Sequence, residues 1–229
     1  MDMFSVQEEN YGVQMANDGF IKTFKRMGLG LLLTAIVAYL SYSTELYMHF
    51  LYGSSYAILA IVEVGVVLAF SFLYRKLSPE MVSFLFYLYA AINGITMGCI
   101  FAIYSMNTIF NAFLTAALLF GALAMYGANT QKDLTNLGSI FTVALFVGLI
   151  VSIINLFLGS TMLTIILDWG MLILFCGITA YDMNKLKYLQ SEIGCEEEKA
   201  YVYCAMQLYL DFINIFLRVL SILGRNQRK

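Results

Sequence analysis

The run Gln207–Leu220 reads QLYLDFINIFLRVL, and it sets an aspartate, an asparagine and an arginine among residues suited to hydrocarbon. Gln207, Asp211, Asn214 and Arg218 are spaced by four, three and four positions, so on a helix they form one polar stripe. A lipid-facing charge costs about 2.5–3.5 kcal/mol, so the stripe must face other helices or a water-filled cavity. Its helix is therefore expected at the centre of a bundle. A second acid, Asp182 in GITAYDMNKLK, precedes the polar connector SEIGCEEEK. The midpoint between positions 182 and 211 falls at 196–197, inside that connector. In an antiparallel helical hairpin the two carboxyls then lie at similar depth and are placed to meet. Two carboxylates in a low-dielectric site cannot both ionise cheaply, and one proton tends to be shared. Asp182 and Asp211 are thus a candidate pH-sensing dyad. Arg75 and Arg218 are the candidate basic partners for gating, competing for the carboxylates and stabilising the fully deprotonated pair. The structural alternative is that Asp211 and Arg218 are neutralised by neighbours and hold the bundle together.

Other polar residues fall in apolar surroundings. Glu63 in AIVEVGVVLAF is either a protonated glutamate hydrogen-bonded across helices or part of a cation path with Asp182 and Asp211. Asp168 reads as a structural acid or, on the outer side, a vestibule charge. Asn93 and Asn155 are expected to hydrogen-bond between helices, with Gly94 and Gly98 permitting close packing. The acidic run Glu196–Glu198 is expected to be a solvated loop that concentrates cations at an inner mouth.

The elements that must position these groups are membrane spans. Of 229 residues, 61% are hydrophobic and 12% charged, about half the charge of an ordinary soluble domain. Crossing a bilayer takes about 20 apolar helical residues, and seven such segments occur at 27–44, 55–74, 83–104, 109–126, 137–158, 161–181 and 200–223. None alternates as a barrel strand does, so the fold class is an all-α polytopic membrane protein, a seven-transmembrane-helix bundle with the C-terminal helix central. Tyr42, Tyr74, Tyr104, Tyr126 and Tyr181 lie near span ends as interfacial anchors. Residues 1–26 read as a cytoplasmic tail without the h-region of a signal peptide, 27–223 as the transmembrane domain, and 224–229 as a short basic tail.

Lys22, Lys25 and Arg26 precede span one; Arg75, Lys76, Lys132, Lys185, Lys187 and Lys199 follow spans two, four and six. Connectors after spans one, three and five carry none, which places the N-terminus in the cytoplasm. Seven crossings would leave Arg225, Arg228 and Lys229 outside, a conflict that a re-entrant last segment would remove. The 24 residues from Ala200 to Leu223 are enough to span, which favours seven crossings. Cys99, Cys176, Cys195 and Cys204 form no CxxC pair and are assigned no redox role. His49 is the single histidine, so no transition-metal site and no cofactor are expected. Basic residues are scattered, and nucleic acid is not an expected partner; the lipid bilayer is.

The run LYLDFINIFLRVLSILG resembles the C-terminal signature of the Bax inhibitor-1 family, also called the transmembrane Bax inhibitor motif family, and AYD ending span six resembles its other marker. Glu63, NGITMGCIF and the seven-segment layout over residues 20–225 fit the same pattern. The resemblance implies a pH-sensitive calcium leak controlled by an aspartate pair, carried here by Asp182 and Asp211 as transient calcium ligands. The family's basic partner lies near the end of span two, which Arg75 matches in position. Met183-Asn184 departs from the Thr-Gln that often follows the family's Tyr-Asp. Suppression of cell death in eukaryotes, and membrane stress and protease regulation in bacteria, are also implied. The short tail, lacking a long proline-rich extension, points to a bacterial plasma membrane.

Calcium takes 6–8 oxygens, so Glu63, Asp182 and Asp211 suit its passage more than its storage. The function expected is a calcium leak channel gated by the aspartate pair; the alternative is a non-conducting adaptor that modulates a membrane protease or a stress or cell-death pathway. Intramembrane aspartyl proteases also use two aspartates, but their Gly-x-Gly-Asp and later Pro-Ala-Leu are missing: Asp211 follows Leu-Tyr-Leu and no proline occurs after Pro79. An enzyme is not expected.

Overall fold

In lipid an open chain satisfies its backbone only by coiling on itself, and the computed structural model of the chain is helical throughout the elements it describes. It describes residues 3–51, 63, 65–67, 70, 74, 76–192 and 197–225. The helices are α1 (Met3–Ser43), the single turn α2 (Met48–Leu51), α3 (Pro79–Ile103), α4 (Met106–Asn129), α5 (Gly138–Leu158), α6 (Thr161–Glu192) and α7 (Glu197–Gly224). Among the described residues six helices are long and apolar enough to cross a membrane, and they match six of the seven expected segments. In the remaining segment, 55–74, residues 63, 65–67 and 70 are helical; most of the others lie outside the described residues. The chain is an integral membrane protein of the all-α polytopic class.

Local chemistry sets several boundaries. Pro79 opens α3 at the end where a missing N–H costs nothing. The Ser105 hydroxyl accepts the Thr108 N–H at 3.2 Å and caps α4. Gly159 ends α5 in the left-handed region at φ 61°, its N–H donating to the Asn155 carbonyl. In the connector before α5, the hydroxyl and backbone N–H of Thr135 donate to Asp133, an Asx-turn that holds this carboxyl below its usual value. Helix α6 runs eleven residues beyond the segment expected to end at 181, because KLKYLQSE carries good helix formers. Asp182 is therefore enclosed in helix at both ends. Helix α7 is continuous over 28 residues, about 42 Å at 1.5 Å per residue, without the break a re-entrant segment needs. More than half of its span is enclosed, against 6% of α5's.

The chain forms two compact units, residues 1–103 with 188–209, and residues 104–187 with 210–229. In the first, α1 lies close against α3. A Cβ on Gly94 would come 2.7 Å from the Val37 Cβ and 2.8 Å from the Thr34 carbonyl, and one on Gly98 would meet the Ser41 side chain at 2.6 Å. Small residues thus bring the helices together, as their spacing predicts. This approach lets Thr34 donate to the Ala90 carbonyl at 2.9 Å and meet the Tyr209 hydroxyl at 2.7 Å. Asn93 donates to the same hydroxyl at 2.8 Å, the interhelical role expected for it. Phe86 and Tyr89 stand edge-on to the Tyr209 ring at 5.6 and 6.0 Å, so a polar chain is sealed by aromatic edges. Glu63 belongs to this unit and accepts a hydrogen bond from Thr96 at 2.8 Å. Arg26 pairs with Glu198.

In the second unit Phe212 of α7 packs edge-on between Phe113 and Phe120 of α4, at 5.5 and 5.7 Å. Gly127 lies against the Ala180 backbone and Gly138 against the Tyr181 ring, so α4 and the start of α5 both press on the stretch of α6 that carries Asp182. Cys99 and Cys204 are buried and Cys176 is half-buried, none of them in a disulfide; Cys195 lies outside the described residues.

Gly94→Ala should destabilise the chain by about 1–3 kcal/mol through overpacking. Gly121→Ala, where a Cβ meets nothing within 4 Å, should be neutral or stabilising by about 0.5–1 kcal/mol. Thermal unfolding of the two variants in detergent checks this; equal melting temperatures would contradict the packing.

Candidate functional site

Asp182 of α6 and Asp211 of α7 are both buried, 7% and 3% exposed, and their side chains are hydrogen-bonded to each other. A hydrogen bond between two carboxyl groups needs a proton on one of them. The other Asp211 oxygen, Oδ2, is enclosed without a hydrogen-bond partner. The hairpin spacing that placed the two acids at one depth describes the observed pairing of α6 with α7.

The surroundings of the pair differ from the expected ones. Arg218, expected as a gating partner of the aspartates, points to Asp168 instead, with Nη1 3.3 Å from Oδ1. It stands seven residues beyond Asp211, about 10 Å along α7, so it reaches the acid at the other end of the hairpin. The described cation whose charge acts on Asp182 is Lys185, one turn further along α6. Arg75, the other expected partner, lies outside the described residues. Glu63, expected with the aspartates in an ion path, is in the first unit, whereas both aspartates are in the second. The polar stripe divides by partner: Asp211 takes Asp182, Arg218 takes Asp168, and Asn214 bonds back to the Leu210 carbonyl at 2.8 Å.

Asn184, part of the departure from the family pattern, holds Asp182 in place. It is fully buried; its Oδ1 accepts the Leu134 N–H at 3.1 Å, and its Nδ2 donates to the carbonyls of Gly127 and Lys132 at 3.3 and 3.4 Å. Lys187 adds a bond to the Thr130 carbonyl at 3.2 Å. Together they clamp the α4–α5 connector to α6 two and five residues past Asp182.

Asp168 organises a second polar cluster, which the sequence reading undervalued. It is 2% exposed and accepts from Arg218, from the Ser221 hydroxyl at 2.7 Å and from Arg225 Nη2 at 3.0 Å. The signal was present: Asp168 precedes the 196–197 midpoint by as many residues as Arg225 follows it, and Arg218 and Ser221 share one face of α7, with Arg225 directly past its end. Because Arg225 is paired with an acid of the bundle, it is less a loose topology-setting charge than its place near the C-terminus suggests. Asn155 performs its expected interhelical role beside this cluster, donating to Thr164 at 2.8 Å. Asn184→Ala should lower stability by about 2 kcal/mol, since it strands the buried Gly127 carbonyl and two part-buried backbone groups; an unchanged unfolding temperature would show that the connector does not depend on it.

A family model described as inhibitor of apoptosis-promoting Bax1 matches residues 16–228. Similar proteins include the inner membrane protein YbhL of Escherichia coli, 34% identical over 207 residues that cover 88% of each chain. A protein of Borreliella burgdorferi is 32% identical over 98% of this chain and 99% of its own length. A membrane protein of Streptococcus pyogenes is 34% identical, with coverage of 92% and 93%. A match over nearly the whole chain, with Asp182 and the last-helix motif inside it, makes this protein a member of the Bax inhibitor-1 family of integral membrane proteins.

Proposed function

We propose that the protein is a pH-sensitive cation leak, with calcium as the permeant ion, controlled by the link between Asp182 and Asp211. The observation that carries this reading is the hydrogen bond between two enclosed carboxyls on neighbouring helices. Removing the shared proton deletes the donor and leaves two like charges in contact, which drives α6 and α7 apart locally. Restoring it closes the link. The unpartnered Oδ2 of Asp211 is an oxygen of the kind that hard divalent cations prefer, and deprotonation would add more. Calcium is cargo in this scheme, meeting too few oxygens to be stored. The orientation that fits is a bacterial plasma membrane with the N-terminus in the cytoplasm, supported by the lysine and arginine pattern of the connectors and by the similarity to an inner membrane protein of Escherichia coli.

A second reading is a non-conducting adaptor for a membrane protease or a stress pathway. The feature that favours it is α5, whose apolar span is only 6% enclosed and offers a long flank to another membrane protein.

Purified protein in calcium-loaded liposomes separates the two. The leak reading expects flux that varies with pH in the wild type, and a flattened pH profile in Asp182→Asn and Asp211→Asn, because an amide cannot lose the proton. Flux with the same pH profile in both variants would remove the dyad from the mechanism. No flux at any pH would leave the adaptor.

A further inference from the structure

Where α5 turns into α6, the second unit holds a cavity of about 460 Å³, lined among others by Asn155, Thr164, Asp168, Arg218, Ser221 and Arg225. We propose that this cavity binds an oxyanion of the phosphate class, either free phosphate or the phosphate of a lipid headgroup. Its volume is that of a small-ligand site, about 300–1,000 Å³.

Charge is the first argument. Among the described residues one carboxylate faces two guanidiniums, an excess of one positive charge. Both Asp168 oxygens are already engaged, Oδ1 by Arg218 and Oδ2 by Ser221 and Arg225. An entering cation would find no unengaged carboxylate oxygen there and would meet two like charges. An entering anion would complete the neutralisation.

Unused donors are the second argument. Arg218 gives Nη1 and Arg225 gives Nη2 to Asp168, and both residues line the cavity. A guanidinium presents five N–H groups in a planar fork that matches two oxygens of a phosphate, so one bond to Asp168 does not exhaust either arginine. The first turn of α6 adds to this. Thr161 and Thr164 line the cavity; Ser160 takes the N–H groups of Leu163 and Thr164, and the positive end of the helix dipole favours an anion. Asp168 then acts as an internal stand-in, holding both arginines in place until a stronger oxyanion shares them.

The site does not rest on the leak reading. Asp168 and Asp182 are fourteen residues apart on α6, about 21 Å along the helix, so an anion here would not touch the aspartate pair.

Binding is read as a rise in the unfolding temperature of the chain. The full chain is placed in nanodiscs of a phosphate-free galactolipid. One arm titrates sodium phosphate against sodium chloride at equal ionic strength; the other adds increasing phosphatidic acid to the bilayer. A saturable response is expected in at least one arm, and the arm identifies the source. Arg225→Gln, at the cavity edge, should weaken it about tenfold or more, which corresponds to losing one charge-assisted contact. Asp168→Asn should bind at least as tightly as the wild type, since it releases both guanidiniums; at a cation site the same change would abolish binding. The proposal is overturned by a response in neither arm, by one that survives both Arg225→Gln and Arg218→Gln, or by one that Asp168→Asn removes. Should Asp168→Asn fail to fold, the arginine variants decide.

Discussion

Everything in the second unit follows from one constraint: a charge carried into hydrocarbon must find a partner on a neighbouring helix. Helix α7 brings Asp211, Arg218 and Arg225 into or beside the membrane, and α6 answers with Asp182 and Asp168. Antiparallel helices match residues equidistant from their turn, so both acids of α6 meet α7 in one register. Exchanging the helices' order or slipping them by a turn would strand charges at several kcal/mol each. The register of α6 on α7 is fixed by electrostatics before packing refines it, and the Phe113–Phe212–Phe120 array then closes around it.

The two ends of that hairpin solve the same problem differently. At one end an acid meets guanidiniums and the charges compensate. At the other an acid meets an acid, and only a proton makes the contact favourable. The first arrangement is held by opposite charges; the second depends on a proton and is suited to switching. The proposed leak and the proposed oxyanion site are these two solutions read as functions.

Much of this was legible in the sequence. The apolar segments and the close packing at Gly94 and Gly98 follow from length and spacing, because the bilayer allows little else; that α1 is the helix they meet does not. The encounter of Asp182 with Asp211 follows from hairpin geometry. What escaped was the choice of partner. Arg218 lies on the same stripe as Asp211, and spacing alone let it serve either end of the hairpin; the answer needed Asp168, which matches Arg225 in distance from the turn and draws in Arg218 two turns nearer, but which sits near the start of a span and looks like a boundary charge. The buried role of Asn184 escaped for a related reason: its partners are backbone groups of a connector, and backbone leaves no mark in a side-chain pattern.

The account's central claim is that Asp182 and Asp211 share one proton within the membrane. Infrared difference spectroscopy of the membrane-embedded protein observes that proton directly, through the carbonyl stretch of a protonated carboxyl and its shift in deuterium oxide. The account predicts one such band, lost in a single step as pH rises and absent in its wild-type form from both Asp182→Asn and Asp211→Asn. A wild-type protein with no protonated-carboxyl band across that range, or one whose band is unchanged in both variants, would contradict it.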